Sequence, residues 1–102
     1  MSVSPVLSAI AEPRRLAILA LVKESELSSG EIASHFAVTR PAISQHLGVL
    51  KAAGLVAERR VGTKRFYRAR PQGLAEIRAF LETFWDDSLQ RLKRAAEAEE
   101  GR

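Results

Sequence analysis

The chain has 102 residues, a formal net charge of +4, 46% apolar residues and no cysteine. That length suits one small domain, and the missing thiols exclude a disulfide framework or a thiolate metal site and fit a reducing compartment. No apolar run approaches the roughly 20 residues of a membrane span, and MSVSPVLSAIAEPRR lacks a basic start followed by an apolar stretch, so a cytoplasmic protein with neither signal peptide nor membrane partner is expected.

Taken in chain order, residues 5–11 read as a short helix, with Ser4 as N-cap and Val6, Leu7 and Ile10 on its apolar side. Pro13 suits the first turn of a second helix, whose stripe is Leu16, Leu19 and Val22, widened by Ile18 and Leu21. Arg14 and Arg15 sit where the helix dipole is positive, at a cost of about 0.3–1 kcal/mol per exposed charge. They point either to an anionic partner or to chance placement. Ser28 and Glu31 form an S-x-x-E capping box that opens a third helix, reaching about Phe36 with Ile32, Ala33 and Phe36 inward.

A tight turn at Ala37-Val38 follows. Thr39 or Arg40 caps a fourth helix, Pro41 occupies its first turn, and Gly54 stops it. Residues 55–60 and 65–70 read as two strands joined by a turn at Val61-Gly62-Thr63-Lys64. From Gln72 a last helix runs through at least Lys93, with Leu74, Ile77, Leu81, Phe84, Leu89 and Leu92 as its stripe and Phe80 and Trp85 beside it. The acidic tail after Ala96 is expected to fray. The fold class is therefore mainly α with a small β-hairpin, in the order α-α-α-α-β-β-α over residues 1–102, a winged helix-turn-helix.

Charge is unevenly spread. Residues 39–70 carry eight basic groups against Glu58 alone, a net +7, whereas residues 1–38 and 71–102 come to −1 and −2. Such a local field attracts a polyanion, although a merely solvated face has the same composition. At about 100° per residue, Ile43, Leu47 and Leu50 fall on one edge of the fourth helix, and Pro41, Ser44, Gln45, Gly48 and Ala52 fall opposite. That opposite face is small or polar and holds no acid. Small residues let the helix approach a surface closely, and Ser44 and Gln45 have the donors and acceptors that read base edges. Arg40 and Lys51 flank the face, suited to phosphates. His46 lies off it, where a bond to backbone or a reach to a phosphate is expected. Arg59, Arg60, Lys64 and Arg65 bracket the glycine turn of the hairpin, and one of Phe66 and Tyr67 should be core while the other is half exposed. Catalysis is excluded: Ser44 and His46, the candidate nucleophile and base, lie about 200° apart on their helix and do not face one another. No phosphate loop, paired-acid cleft or cofactor motif is present.

Three stretches, AIAEPRRLAILALV, ELSSGEIASHFAVTRPAISQHLGVLKAAGLV and ERRVGTKRFYRARPQGL, resemble the ArsR/SmtB-type winged-helix repressors over nearly the whole chain. The S-x-H-L-x-x-L-x-x-A-G-L-V run is the most specific. The resemblance implies a homodimer, paired through its first and last helices, that represses transcription from double-stranded operator DNA. It places Thr39, Arg40, Ser44, Gln45 and His46 at DNA-contacting positions and makes the basic hairpin the wing. Many members release DNA on binding metal, but here residues 26–32 have no thiol and the last helix no histidine, so no metal or cofactor is expected and the inducer is unknown. An interface built from Val6, Leu7, Ile10, Leu81, Phe84, Trp85, Leu89 and Leu92 would bury apolar surface too large for an 11 kDa monomer to cover. It would set two recognition helices about 34 Å apart, on a palindromic operator. The alternatives are a winged helix used for protein contacts and an activator of the same fold.

Overall fold

A computed structural model describes residues 4–84 and 90–100. The elements are α1 (Ser4–Ile10), α2 (Pro13–Leu21), β1 (Leu27–Ser28), α3 (Ser29–Ala33), α4 (Arg40–Ala52), β2 (Val56–Val61), β3 (Lys64–Ala69), α5 (Pro71–Phe84) and α6 (Gln90–Glu100). The helix-turn-helix and wing are present as expected. The expected last helix is described as α5 and α6, and residues 85–89, including Trp85 and Leu89, lie outside the described residues. The tail is helical to Glu100 rather than frayed after Ala96.

Local chemistry sets most boundaries. Glu12 caps α2 by accepting from the Arg15 amide at 2.8 Å, and Pro13 fills the first turn. The capping box of α3 closes both ways: Glu31 N–H donates to Ser28 Oγ at 3.1 Å, and Ser28 N–H to Glu31 Oε1 at 2.8 Å. This helix ends at Ala33, short of Phe36, because His35 and Phe36 donate back three residues, to Ile32 and Ala33, and tighten the chain. Thr39 caps α4 through Oγ1, which accepts from Ala42 N–H. At its far end Leu55 N–H donates to Leu50 C=O and Gly54 N–H to Lys51 C=O, a Schellman pattern that needs the positive φ of Gly54, +77°. In the wing Val61 pairs with Lys64, leaving Gly62-Thr63 as a two-residue loop. Gly62 has φ +61° and Thr63 does not share it, the type II′ combination that matches strand twist.

The sheet has three antiparallel strands in the order β1-β3-β2. The first was not expected: Leu27 pairs with Tyr67 and Ser28 with Phe66. Two residues carry no periodicity, so only their partner strand reveals them. The core joins Val6, Ile18, Val22, Ile32, Ile43, Leu47, Leu50, Leu55, Val56, Tyr67 and Ile77. Leu16, expected in the α2 stripe, is 51% exposed and lies in a shallow groove with Leu19, Ala20, Lys23 and Leu74. Helix α2 is packed from the α1 and α4 sides, and nothing among the described residues covers that flank. Helix α5 starts against the end of α4: a Cβ at Gly73 would lie 2.3 Å from the Gly54 carbonyl oxygen, so only glycine permits this approach.

Candidate nucleic-acid interface

Helix α4 buries Ile43, Leu47 and Leu50 almost completely. The opposite face, Pro41, Ser44, Gln45, Gly48 and Ala52, is exposed throughout. Val49, 42% exposed, extends it with an apolar surface that the sequence reading passed over. Arg15, Gln45, His46, Gly48, Val49 and Ala52 line an open depression of about 540 Å³ there. No carboxylate lines it.

A second concavity, of about 330 Å³, lies between the start of α3, Arg40 and the wing tip. Ser28, Ser29, Gly30, Glu31, Arg40, Thr63, Lys64 and Arg65 line it. The fold thus brings Arg40 to Lys64 and Arg65, more than twenty residues later in the chain. Arg60 lies opposite Arg65 in the strand register, both exposed. Like charges directly across a strand pair repel, so an anion seated between them relieves strain in the hairpin.

Four of the expected contact residues, Arg59, Lys51, Arg65 and His46, have charged partners within the protein. Arg59 makes a two-pronged ion pair with Glu26, Nε to Oε2 at 3.0 Å and Nη2 to Oε1 at 2.6 Å, and stacks its guanidinium over Phe66 at 5.3 Å. Its hydrogen bonds hold the Glu26 carboxyl below the usual range. Arg59 therefore ties the wing to the residue preceding β1, and is less available to a phosphate than Arg60. Lys51 lies 3.6 Å from Glu58, the single acid of the basic segment. Glu58 also accepts from the Tyr67 hydroxyl at 3.0 Å and faces Arg65 at 4.0 Å. The tyrosine bond, then Lys51 and Arg65, hold its carboxyl low against the opposing effect of burial, while burial and Glu58 push the Tyr67 hydroxyl up. Tyr67 is the buried member of the aromatic pair and Phe66 the half-buried one.

His46 is the fourth, and it turns toward α2 rather than to backbone. Its Nδ1 lies 3.4 Å from Arg15 Nη1 and 3.9 Å from Glu12 Oε2. Arginine only donates, so the Arg15 contact is a hydrogen bond in the tautomer whose Nδ1 is free to accept. Arg15 also donates to the carbonyls of Ala9 at 2.7 Å and Ser8 at 3.3 Å, closing the end of α1. Arg14 lies 5.3 Å over the Phe36 ring. The two arginines at the start of α2 thus answer to partners inside the protein. The signal for Arg15 was absent from the sequence, because its partners lie on two other elements.

The expected pairing surface is partly redrawn. Val6 belongs to the chain's own core, 4% exposed, because α1 packs against α2 and α4; Leu7 and Ile10 are half-buried against that core. Leu81 and Leu92 are exposed at 46% and 65%. The Phe84 side chain, like Trp85 and Leu89, lies outside the described residues.

The family model for bacterial regulatory proteins of the arsR family matches residues 12–58, from the cap of α2 through α4 into the wing. The HTH-type transcriptional regulator Rv2034 of Mycobacterium tuberculosis is 46% identical over 81 residues, spanning 79% of this chain and 76% of that protein. The chain belongs to the arsR family. The transcriptional repressor SdpR of Bacillus subtilis is 40% identical over 61% of this chain and 69% of its own length. A solved structure from Mycobacterium bovis, the homodimeric winged helix-turn-helix DNA-binding domain of a possible ArsR-family transcriptional regulator, superposes with a TM-score of 0.67. It is 34% identical, with 83% of this chain and 79% of that one covered. This ArsR-family protein is a transcriptional regulator with a winged helix-turn-helix, not an enzyme.

Proposed function

We propose that this ArsR-family protein is a homodimeric repressor that binds a palindromic operator, with the exposed face of α4 in the major groove and the wing tip on the backbone. The observation that carries this reading is the acid-free, small-residue face of α4 beside the cluster of Arg40, Lys64 and Arg65. Gln45 sits mid-face, where its amide reaches a base edge, and Thr39, Pro41 and Ser44 lie toward the end of the helix that enters first. Arg40, Arg60, Lys64 and Arg65 meet phosphates. Lys51, Arg59 and His46 sit behind this line and hold the reading elements in place. The homodimeric M. bovis relative and the B. subtilis repressor support the assembly and the sign of regulation.

Selection of binding sites from random DNA tests the reading, with wild type, Gln45→Ala and Arg60→Ala run side by side. Wild type selects an inverted repeat with half-sites about 10 base pairs apart, centre to centre. Gln45→Ala costs about 1–3 kcal/mol on that site and relaxes preference at one position per half-site. Arg60→Ala weakens binding to all sequences alike and lowers the salt slope by about one. An asymmetric selected site overturns the dimeric reading. An unchanged preference in Gln45→Ala overturns the role of α4. A reporter behind the selected site falls in expression when the protein is supplied; a rise marks an activator.

A further inference from the structure

Val49 is the one large apolar side chain of α4 that the core leaves out. It is 42% exposed, whereas Ile43, Leu47 and Leu50 of the same helix are buried. It does not stand alone. Gly48 and Ala52 beside it are exposed as well, and with Gln45, His46 and Arg15 these residues line the open depression on α4. A Cβ placed on Gly48 would meet no atom within 4 Å, so that side of the helix is open. Burial therefore does not account for a valine here. Helix propensity does not either, since a β-branched side chain is held more stiffly on a helix than a straight-chain residue.

The depression has a cation at its edge, Arg15, and no carboxylate, which suits an occupant that is part of a polyanion. Val49 lies four residues beyond Gln45, one turn further along the same side of α4. The rise between the two is about 6 Å, which is less than two base steps of about 3.4 Å each. With α4 in the major groove, Val49 stands within about two base pairs of the base that Gln45 reads. Every group that base pairs present there is a hydrogen-bond donor or acceptor, except the C5-methyl of thymine. A valine side chain has neither donor nor acceptor, so the methyl is the partner of its own kind.

We propose that Val49, with Ala52 beside it, reads the 5-methyl group of one pyrimidine in each half-site. The chemistry recognised is the methyl itself. Thymine carries it, uracil and cytosine lack it, and 5-methylcytosine regains it. The inference rests on the major-groove reading of α4. It adds a second base position, the residue that reads it, and a response to cytosine methylation at that position.

Gel shifts on the selected operator test it, with deoxyuridine replacing one thymine at a time, symmetrically in both half-sites. In wild type one thymine responds, within about two base pairs of the position that Gln45→Ala relaxes. Its replacement weakens binding about fourfold per half-site, the worth of one buried methyl-sized group. With that T·A pair changed to C·G, 5-methylcytosine binds more tightly than cytosine by a similar factor. Val49→Ala, at an exposed position that leaves the core intact, flattens both ratios. The ratios hold as salt rises, since a methyl contact releases no counterion. A half-site with no thymine in that range, or a wild type indifferent to every uracil, overturns the inference. So does a uracil effect equally large in Val49→Ala, or one that fades with salt. In each of these cases the major-groove reading stands as long as Gln45→Ala still relaxes its own position. Wild-type preference in Gln45→Ala overturns that reading itself.

Discussion

Helices α4 and α6 are thirteen and eleven residues long, and they stand at opposite extremes of burial. In α4 three branched aliphatic side chains, Ile43, Leu47 and Leu50, fall within a narrow arc and each is at most 1% exposed. In α6 the arc holds one leucine and alanines, and nothing is buried. End chemistry divides them in the same direction. Thr39 and the Gly54 turn satisfy both ends of α4, and Lys51 in its last turn lies near Glu58, whereas α6 carries its charges against its own dipole. The difference teaches that helical spacing alone does not seat a helix. Large side chains in the stripe, and ends satisfied within the chain, mark α4 as part of the body; the described residues of α6 offer one leucine and alanines as a stripe and bury nothing.

The largest expected effect breaks the comparison at the side chains. Leu47→Ala should cost about 2–5 kcal/mol, the range for a buried leucine that leaves a cavity. Leu92→Ala in the isolated chain should stay within about 0.5 kcal/mol, as surface changes do. Urea unfolding midpoints of the two variants below the dimerisation range make the measurement. Comparable losses would mean that α6 is packed where it is now exposed.

Glycines sharpen the comparison by opposite signs. Gly73→Ala must push a methyl to 2.3 Å from the Gly54 carbonyl, so the backbone must shift, an overpacking cost of about 1–3 kcal/mol. Gly48→Ala meets nothing within 4 Å, and should stabilise α4 by about 0.5–1 kcal/mol through helix propensity. The same Gly48→Ala should weaken operator binding, since its methyl would stand on the face proposed to meet DNA. Thermal unfolding and gel shifts on the one variant measure both. Tighter DNA binding would remove the close-approach role from Gly48.

The smallest effect concerns the charges around α4. Tyr67→Phe removes the largest cause of the lowered Glu58 carboxyl and should cost about 0.5–1.5 kcal/mol near neutral pH. The sign follows from linkage: a depressed folded pKa stabilises fully above the unfolded glutamate value of about 4.3 and loses that contribution as pH falls through the folded one. Wild type and Tyr67→Phe should therefore converge in stability as pH drops below about 4. Parallel curves across that range would mean that the hydroxyl does not favour the ionised carboxylate. Lys51 and Arg65 remain beside Glu58, so the variant does not abolish the dependence.

Much of the local design was legible before any tertiary contact. The capping box at Ser28 and Glu31, the Thr39 cap, the Gly54 stop and the glycine turn at 62 each depend on residues within a few positions of one another, and backbone chemistry dictates them. The acid-free face of α4 followed from spacing, and the +7 segment from counting. What remained hidden depends on residues far apart in the chain. Strand β1 exists only because β3 lies beside it. Arg59 reads as a wing cation until Glu26, thirty-three positions earlier, takes its guanidinium. His46 reads as a flank histidine bonded to backbone or reaching a phosphate until Arg15 and Glu12 stand next to it, and Val6 as an interface residue until α2 and α4 close over it. Periodicity assigns a side chain to a face, but burial and ion pairing depend on what comes to that face. Those partners arrive from elements whose distance along the chain says nothing about their distance in space.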